Sequence, residues 1–108
     1  MSQKVVWQSF PLRKSVQAFE SLVSKLELAE PTGELVEEIG DYPFYPAQGP
    51  SGDPVMKLSP KVLHQWIVRL GDVPESAVRA MHPSDVWQIG MALAGFFAAG
   101  SGSELQAS

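Results

Sequence analysis

The residues able to do chemistry are few, and their spacing does not assemble them. His64 and His82 lack the i, i+4 interval that sets two imidazoles on one helical face, and neither lies in an H-E-x-x-H motif. His64 falls opposite the apolar stripe of its helical segment, which reads as a solvated helix residue. His82 precedes Pro83 at a helix junction, a place for capping or surface exposure. No serine stands in a G-x-S-x-G elbow. Glu34, Glu37 and Glu38 make a small acidic face, but no partner group accompanies them for general acid–base work. The glycines form neither G-x-G-x-x-G nor G-x-x-x-x-G-K. The chain has no cysteine, so thiolate nucleophiles, thiolate metal sites and disulfides are excluded. The expectation is a non-enzymatic protein with no cofactor and no metal.

The composition points to binding instead. At 108 residues and 44% hydrophobic, the chain suits one domain with a real core. Residues 1–100 are read as that domain and 101–108, "GSGSELQAS" from Gly100 on, as a flexible tail. The net charge is −4, and the only adjacent basic pair is Arg13-Lys14. A sequence-independent nucleic-acid binder needs a basic stripe, so nucleic acid is not an expected partner. The opening "MSQKVVWQSFPLRK" lacks the basic-then-apolar order of a signal peptide. The apolar run from Val86 to Ala99 covers about 14 residues, against about 20 for a spanning helix, so no membrane partner is expected either.

The elements that would position a binding surface follow from local signals. Residues 4–28 read as two strands. "VVWQSFPL" is β-rich, with Pro11 at an edge or strand end. In "FESLVSKLEL" Leu22, Ser24, Leu26 and Leu28 share one face. The two segments could pair as a hairpin through "RKSVQAFE". Thr32 is a candidate N-cap for a helix of about two turns, closed by Gly40. Residues 41–58, "DYPFYPAQGPSGDPVMKL", read as a long proline-rich insert. Either Tyr42, Phe44 and Tyr45 pin it to the body, or it is a mobile flap over a binding surface. Ser59-Pro60 then opens a helix with Val62, Leu63, Trp66, Ile67 and Leu70 on one side and Gly71 at its end. A short helix "PESAVRAM" turns Val78 and Met81 inward, and a last helix starts at Ser84 or Asp85. The expected fold is α+β: an N-terminal β-hairpin followed by a small bundle of three to four helices.

The last helix, "DVWQIGMALAGFFAAG", is apolar nearly all round. At about 100° per residue, Val86, Ile89, Leu93, Phe96 and Phe97 gather on one side as a core face, with Phe96 at its border. Trp87, Met91, Ala94 and Ala98 form a second stripe at i, i+4, i+7 and i+11. No charged residue follows Asp85 on this stretch, where an ordinary surface helix would place Lys and Glu. Such a helix is either central to its domain or covered by something else. The partner-binding candidates are Trp87, Met91, Ala94 and Ala98, with Phe96 reaching outward from the border.

The order of features resembles the tail assembly chaperones of long-tailed bacteriophages, in particular those of Mu-like phages. A leucine-rich strand leads into Glu30-Pro31-Thr32 followed by Gly33-Glu34-Leu35, and the last helix opens with Ser84-Asp85 and closes on Gly95-Phe96-Phe97. The likeness covers roughly residues 10–98. It departs where the helix after Glu-Pro-Thr is cut by Gly40-Asp41-Tyr42-Pro43. The resemblance implies a protein that coats the hydrophobic tape measure protein until the tail tube polymerises and is then absent from the mature virion. It implies the tape measure protein as client, the tail tube protein as a second partner, self-association as a further use of the apolar surface, and the host cell cytoplasm as the location. It also implies the shorter of two forms made by a translational frameshift. Two other classes could use the same apolar helix: a small phage inhibitor or regulator of a host protein, and a membrane-active lysis factor.

Overall fold

A computed structural model describes residues 6–107, with side chains described through Ala98. The order is β1 (Val6–Ala18), β2 (Ser21–Ala29), α1 (Gly33–Ile39), β3 (Phe44–Gln48), β4 (Pro54–Leu58), α2 (Pro60–Gly71), α3 (Glu75–Ala80) and α4 (Pro83–Ala107). The architecture is α+β, as expected: an antiparallel hairpin, then helices. It contains one element the sequence reading lacked, since β3 and β4 form a second two-stranded antiparallel sheet. Residues 4 and 5 of the anticipated first strand lie outside the described residues. Helical backbone continues to Ala107, across residues read from composition as a flexible tail.

The β1–β2 turn is not "RKSVQAFE". Val16, Gln17 and Ala18 are still paired, with Val23, Leu22 and Ser21, and the turn is Phe19-Glu20. Between the pairs Pro11↔Lys25 and Val16↔Val23, β1 advances five residues while β2 advances two. This bulge rotates the strands beyond it, which corrects the expected face of β2. Leu26 and Leu28 are buried, but past the bulge Val23 turns toward the core while Leu22 and Ser24 are exposed. The bulge also frees the Arg13 N–H from the ladder, and it donates to Asp85 Oδ2 at 2.9 Å. Asp85 is the only buried charged residue among the described residues, and this bond ties β1 to the first turn of α4. A carboxylate in the first turn also faces the positive end of the helix dipole.

The helix signals translate directly where capping chemistry set them. Thr32 Oγ1 accepts from the Leu35 N–H at 3.2 Å, and Gly40 closes α1 at φ +86° with its N–H on the Val36 carbonyl. In α2, Leu63, Trp66, Ile67 and Leu70 are buried. Gly71 is the last residue of α2, at the end where the sequence reading put it, and Asp72 takes the left-handed conformation after it. A Cβ on Gly71 would lie 3.1 Å from Leu26 Cδ1 and 3.2 Å from Leu28 Cδ2, so the position lets α2 close onto β2. Val78 and Met81 are buried, as the short third helix required. The last helix is capped by His82 rather than by Ser84 or Asp85. His82 Nδ1 accepts from the Ser84 N–H at 3.1 Å, and its carbonyl accepts from Asp85 and Val86.

Candidate functional site

The 41–58 segment is not an irregular insert, and of the three aromatic residues expected to pin it Tyr42 and Phe44 do so while Tyr45 is exposed. The segment is the β3–β4 hairpin, with Phe44 opposite Leu58 and Gln48 opposite Pro54. A turn closes it, in which Gly52 at φ +85° donates to the Gly49 carbonyl and Gly49 donates to Asp53. Its prolines are placed by the pairing. The bonds Gly49 N–H to Asp53 O and Ser59 N–H to Pro43 O fix the hydrogen-bonded pairs at alternate positions. Pro46 and Pro54 therefore occupy non-bonded pairs, where the backbone nitrogen points away from the partner strand. Proline is compatible with a hairpin there, and it removes a donor from each outer edge.

One face of this hairpin looks onto α4. Phe44 and Leu58 are half-buried, while Tyr45 and Val55 on the opposite face are exposed. Leu58 reaches the backbone of Gly90, where a Cβ would stand 2.8 Å from Leu58 Cδ1 and 2.9 Å from Leu63 Cδ2. The hairpin's base is fixed by the fully buried Pro43 and by Trp66 Nε1, which donates to the Asp41 carbonyl at 3.0 Å. Tyr42 and Phe44 both pack on Phe97, with ring centroids 5.1 and 5.8 Å away, and Trp66 packs on the same ring at 5.6 Å. Phe97 is thus the hub joining α4, α2 and the second hairpin. Such edge and tilted contacts add about 0.5–1.5 kcal/mol per pair beyond burial.

Between hairpin and helix lies a groove of about 550 Å³ lined by Tyr42, Phe44, Met56, Met91, Ala94, Gly95, Phe97 and Ala98. None of these side chains is charged. Met56 forms one wall and Met91 the other, while Ala94, Gly95 and Ala98 leave the helix backbone accessible along the floor.

The helical wheel separated core from surface correctly for most of α4. Ile89 and Leu93 are fully buried, and Val86 and Phe97 are half-buried. Trp87 is 58% exposed and Met91 46% exposed, so the second stripe does face outward. Met91, Ala94 and Ala98 line the groove. Trp87 lies one turn before Met91 and extends the apolar surface beyond the groove's end. Phe96 is different: it is half-buried and packs edge-on against Trp7 at 5.2 Å, toward β1 and away from the groove. Missing from the sequence reading were Met56, Gly95 and the use of Tyr42, Phe44 and Phe97 as walls. A signal existed in Ser51-Gly52-Asp53, a turn flanked by alternating residues that place Phe44, Met56 and Leu58 on one face.

Among the described residues, no cluster of three or more His, Asp or Glu side chains could hold a metal ion. Glu38 pairs with Arg69, and Glu75 with Arg79, as solvated surface pairs do. His64 is half-buried on α2 and His82 is engaged in capping. Among the described residues, no helix is long and apolar enough to cross a membrane. Compared with known proteins, the chain matches no family model, no curated protein and no solved structure.

Proposed function

We propose that this chain is a phage tail assembly chaperone that holds apolar helical segments of the tape measure protein in the groove between β3–β4 and α4. The observation that carries the reading is that groove: an uncharged channel, walled by two methionines, on an acidic chain. Methionine walls adapt to side chains of different shape, which suits a client engaged at many similar sites. Pro46 and Pro54 blunt the hairpin's outer edges, so a client has poor access to strand addition and must satisfy its own backbone. That favours a helix laid in the groove. Contact through apolar surface without buried ion pairs is weak enough at each site for the client to be handed over when the tube polymerises. The chain then acts in the host cytoplasm as a non-enzymatic binder and leaves no copy in the virion.

The test is co-expression with the tape measure protein of the same phage, comparing the soluble fraction of the client with and without the chaperone. The reading expects the client to be soluble only with the intact chain. It also expects Met91→Glu and Met56→Glu to remove the rescue while circular dichroism shows an unchanged fold. A client equally insoluble in both cases overturns it. The location of the gene between those for the tail tube and the tape measure is a second, independent expectation.

A further inference from the structure

The chain has four methionines and no cysteine, so thioethers are the only sulfur an oxidant meets. Met1 lies outside the described residues, and the other three divide by exposure. Met81 is 6% exposed and belongs to the core cluster. Met56 is 60% exposed and Met91 46% exposed, and these two are the opposite walls of the groove. Methionine oxidation requires the oxidant to reach the sulfur, so it follows exposure. An oxidant meeting the folded chain therefore alters the groove walls and spares the core thioether.

We propose that Met56 and Met91 are oxidation sites for hydrogen peroxide, and that their sulfoxides close the groove to apolar helices. The sulfur lone pair attacks one peroxide oxygen and the O–O bond breaks. The departing hydroxide takes the proton left on the transferred oxygen and leaves as water. Sulfur is thus oxidised by two electrons and the peroxide is reduced. The product is a polar, chiral side chain where an apolar, flexible one stood. In the open groove water solvates each new S–O oxygen, so the fold is not disturbed. Under a bound helix the oxygens lose that water. The helix has its own backbone N–H groups bonded internally, and the lining residues offer a single side-chain donor, the Tyr42 hydroxyl. Two sulfoxide oxygens then share one donor, and an acceptor buried without a partner weakens binding about tenfold or more. Reductases that act on each sulfoxide epimer reverse the change. That the groove's ligand is a client helix rests on the function proposed above; the assignment of the oxidation sites does not.

Peptide mass mapping of the folded full chain, treated with graded hydrogen peroxide and no client present, tests the sites. One added oxygen is expected at Met56 and at Met91 well before Met81, with an unchanged circular dichroism spectrum. Oxidation of Met81 at the same rate, or loss of the fold, overturns the proposal. A second arm measures the Kd of a synthetic helical segment of the tape measure protein after the peroxide is removed. The doubly oxidised chain is expected to bind about tenfold more weakly or worse, and treatment with both reductases to restore the Kd. A chain carrying Met56→Leu and Met91→Leu keeps Met1 and Met81, and its own Kd is expected not to move with peroxide. A parent Kd unchanged by double oxidation, or a leucine variant that weakens as the parent does, overturns the closing of the groove. Selective oxidation in a chain that binds no tape measure segment overturns the proposed function and leaves the two oxidation sites standing.

Discussion

Replacing Gly90 and Gly95 by alanine makes the same chemical change twice in α4, and the structure gives the two variants opposite signs. In a helix interior alanine is favoured over glycine by about 1 kcal/mol, because it has less backbone freedom to lose. At Gly95 an added Cβ would meet nothing within 4 Å. Gly95→Ala should therefore gain the full propensity term and raise the melting temperature by about 4 °C for a domain of this size. At Gly90 the Cβ would stand 2.8 Å from Leu58 Cδ1 and 2.9 Å from Leu63 Cδ2, far inside ordinary contact. Leu58 is half-buried and its end can swing aside, but Leu63 is enclosed by the core. Overpacking of this kind costs about 1–3 kcal/mol, which outweighs the propensity gain. The expected result for Gly90→Ala is a net loss of about 1 kcal/mol and a melting temperature about 4 °C below the parent. Thermal unfolding followed by circular dichroism reads both. Equal stabilisation by the two substitutions would mean that Leu58 and Leu63 do not seat on α4, and the β3–β4 wall of the groove would lose its anchor.

Three further substitutions test the β1–β2 turn and the supports of the site. Phe19 has φ +59°, and Phe19→Gly should stabilise the fold by about 1 kcal/mol by relieving the left-handed strain, seen as a higher urea midpoint with an unchanged slope; a lower midpoint refutes the strain. Asp85→Ala leaves the Arg13 N–H without its acceptor and should lose about 1–3 kcal/mol, while Asp85→Asn, which keeps an acceptor oxygen, should recover part of it in the same urea titration. Trp66→Phe deletes the donor to the Asp41 carbonyl and should lose about 1 kcal/mol, with faster hydrogen exchange in the Tyr42–Phe44 segment; unchanged exchange there would show that the bond does not hold the hairpin's base.

How much was legible in the sequence depended on whether the signal was local. Thr32, Gly40 and Ser59-Pro60 act within a turn of their own position, so the ends they mark in α1 and α2 agree with the structure. The two stripes of α4 were readable because Ile89 and Leu93 repeat at helical spacing while Trp87 and Met91 repeat on the other side. The second hairpin was hidden because Pro46 and Pro54 weigh against strand in any count of propensities. They are tolerated only because the pairing register turns their nitrogens outward. The bulge in β1 was unreadable for a related reason: its stabilising partner, Asp85, is 72 positions away. The groove needed both facts together, since Met56 and Met91 face each other only when β4 is a strand and Gly90 lets it approach.

The central claim is that an apolar helix binds between β3–β4 and α4. Its most direct test is an amide and methyl NMR titration of the full chain with a synthetic helical segment of the tape measure protein. The account predicts saturable shifts concentrated at Met56, Met91, Ala94, Gly95 and Ala98, with smaller ones at Trp87 and almost none at Phe96, His64 or the Glu34–Glu38 face. Shifts absent at saturating peptide, or centred on the surface of α1 with the methionine methyls unmoved, would contradict it.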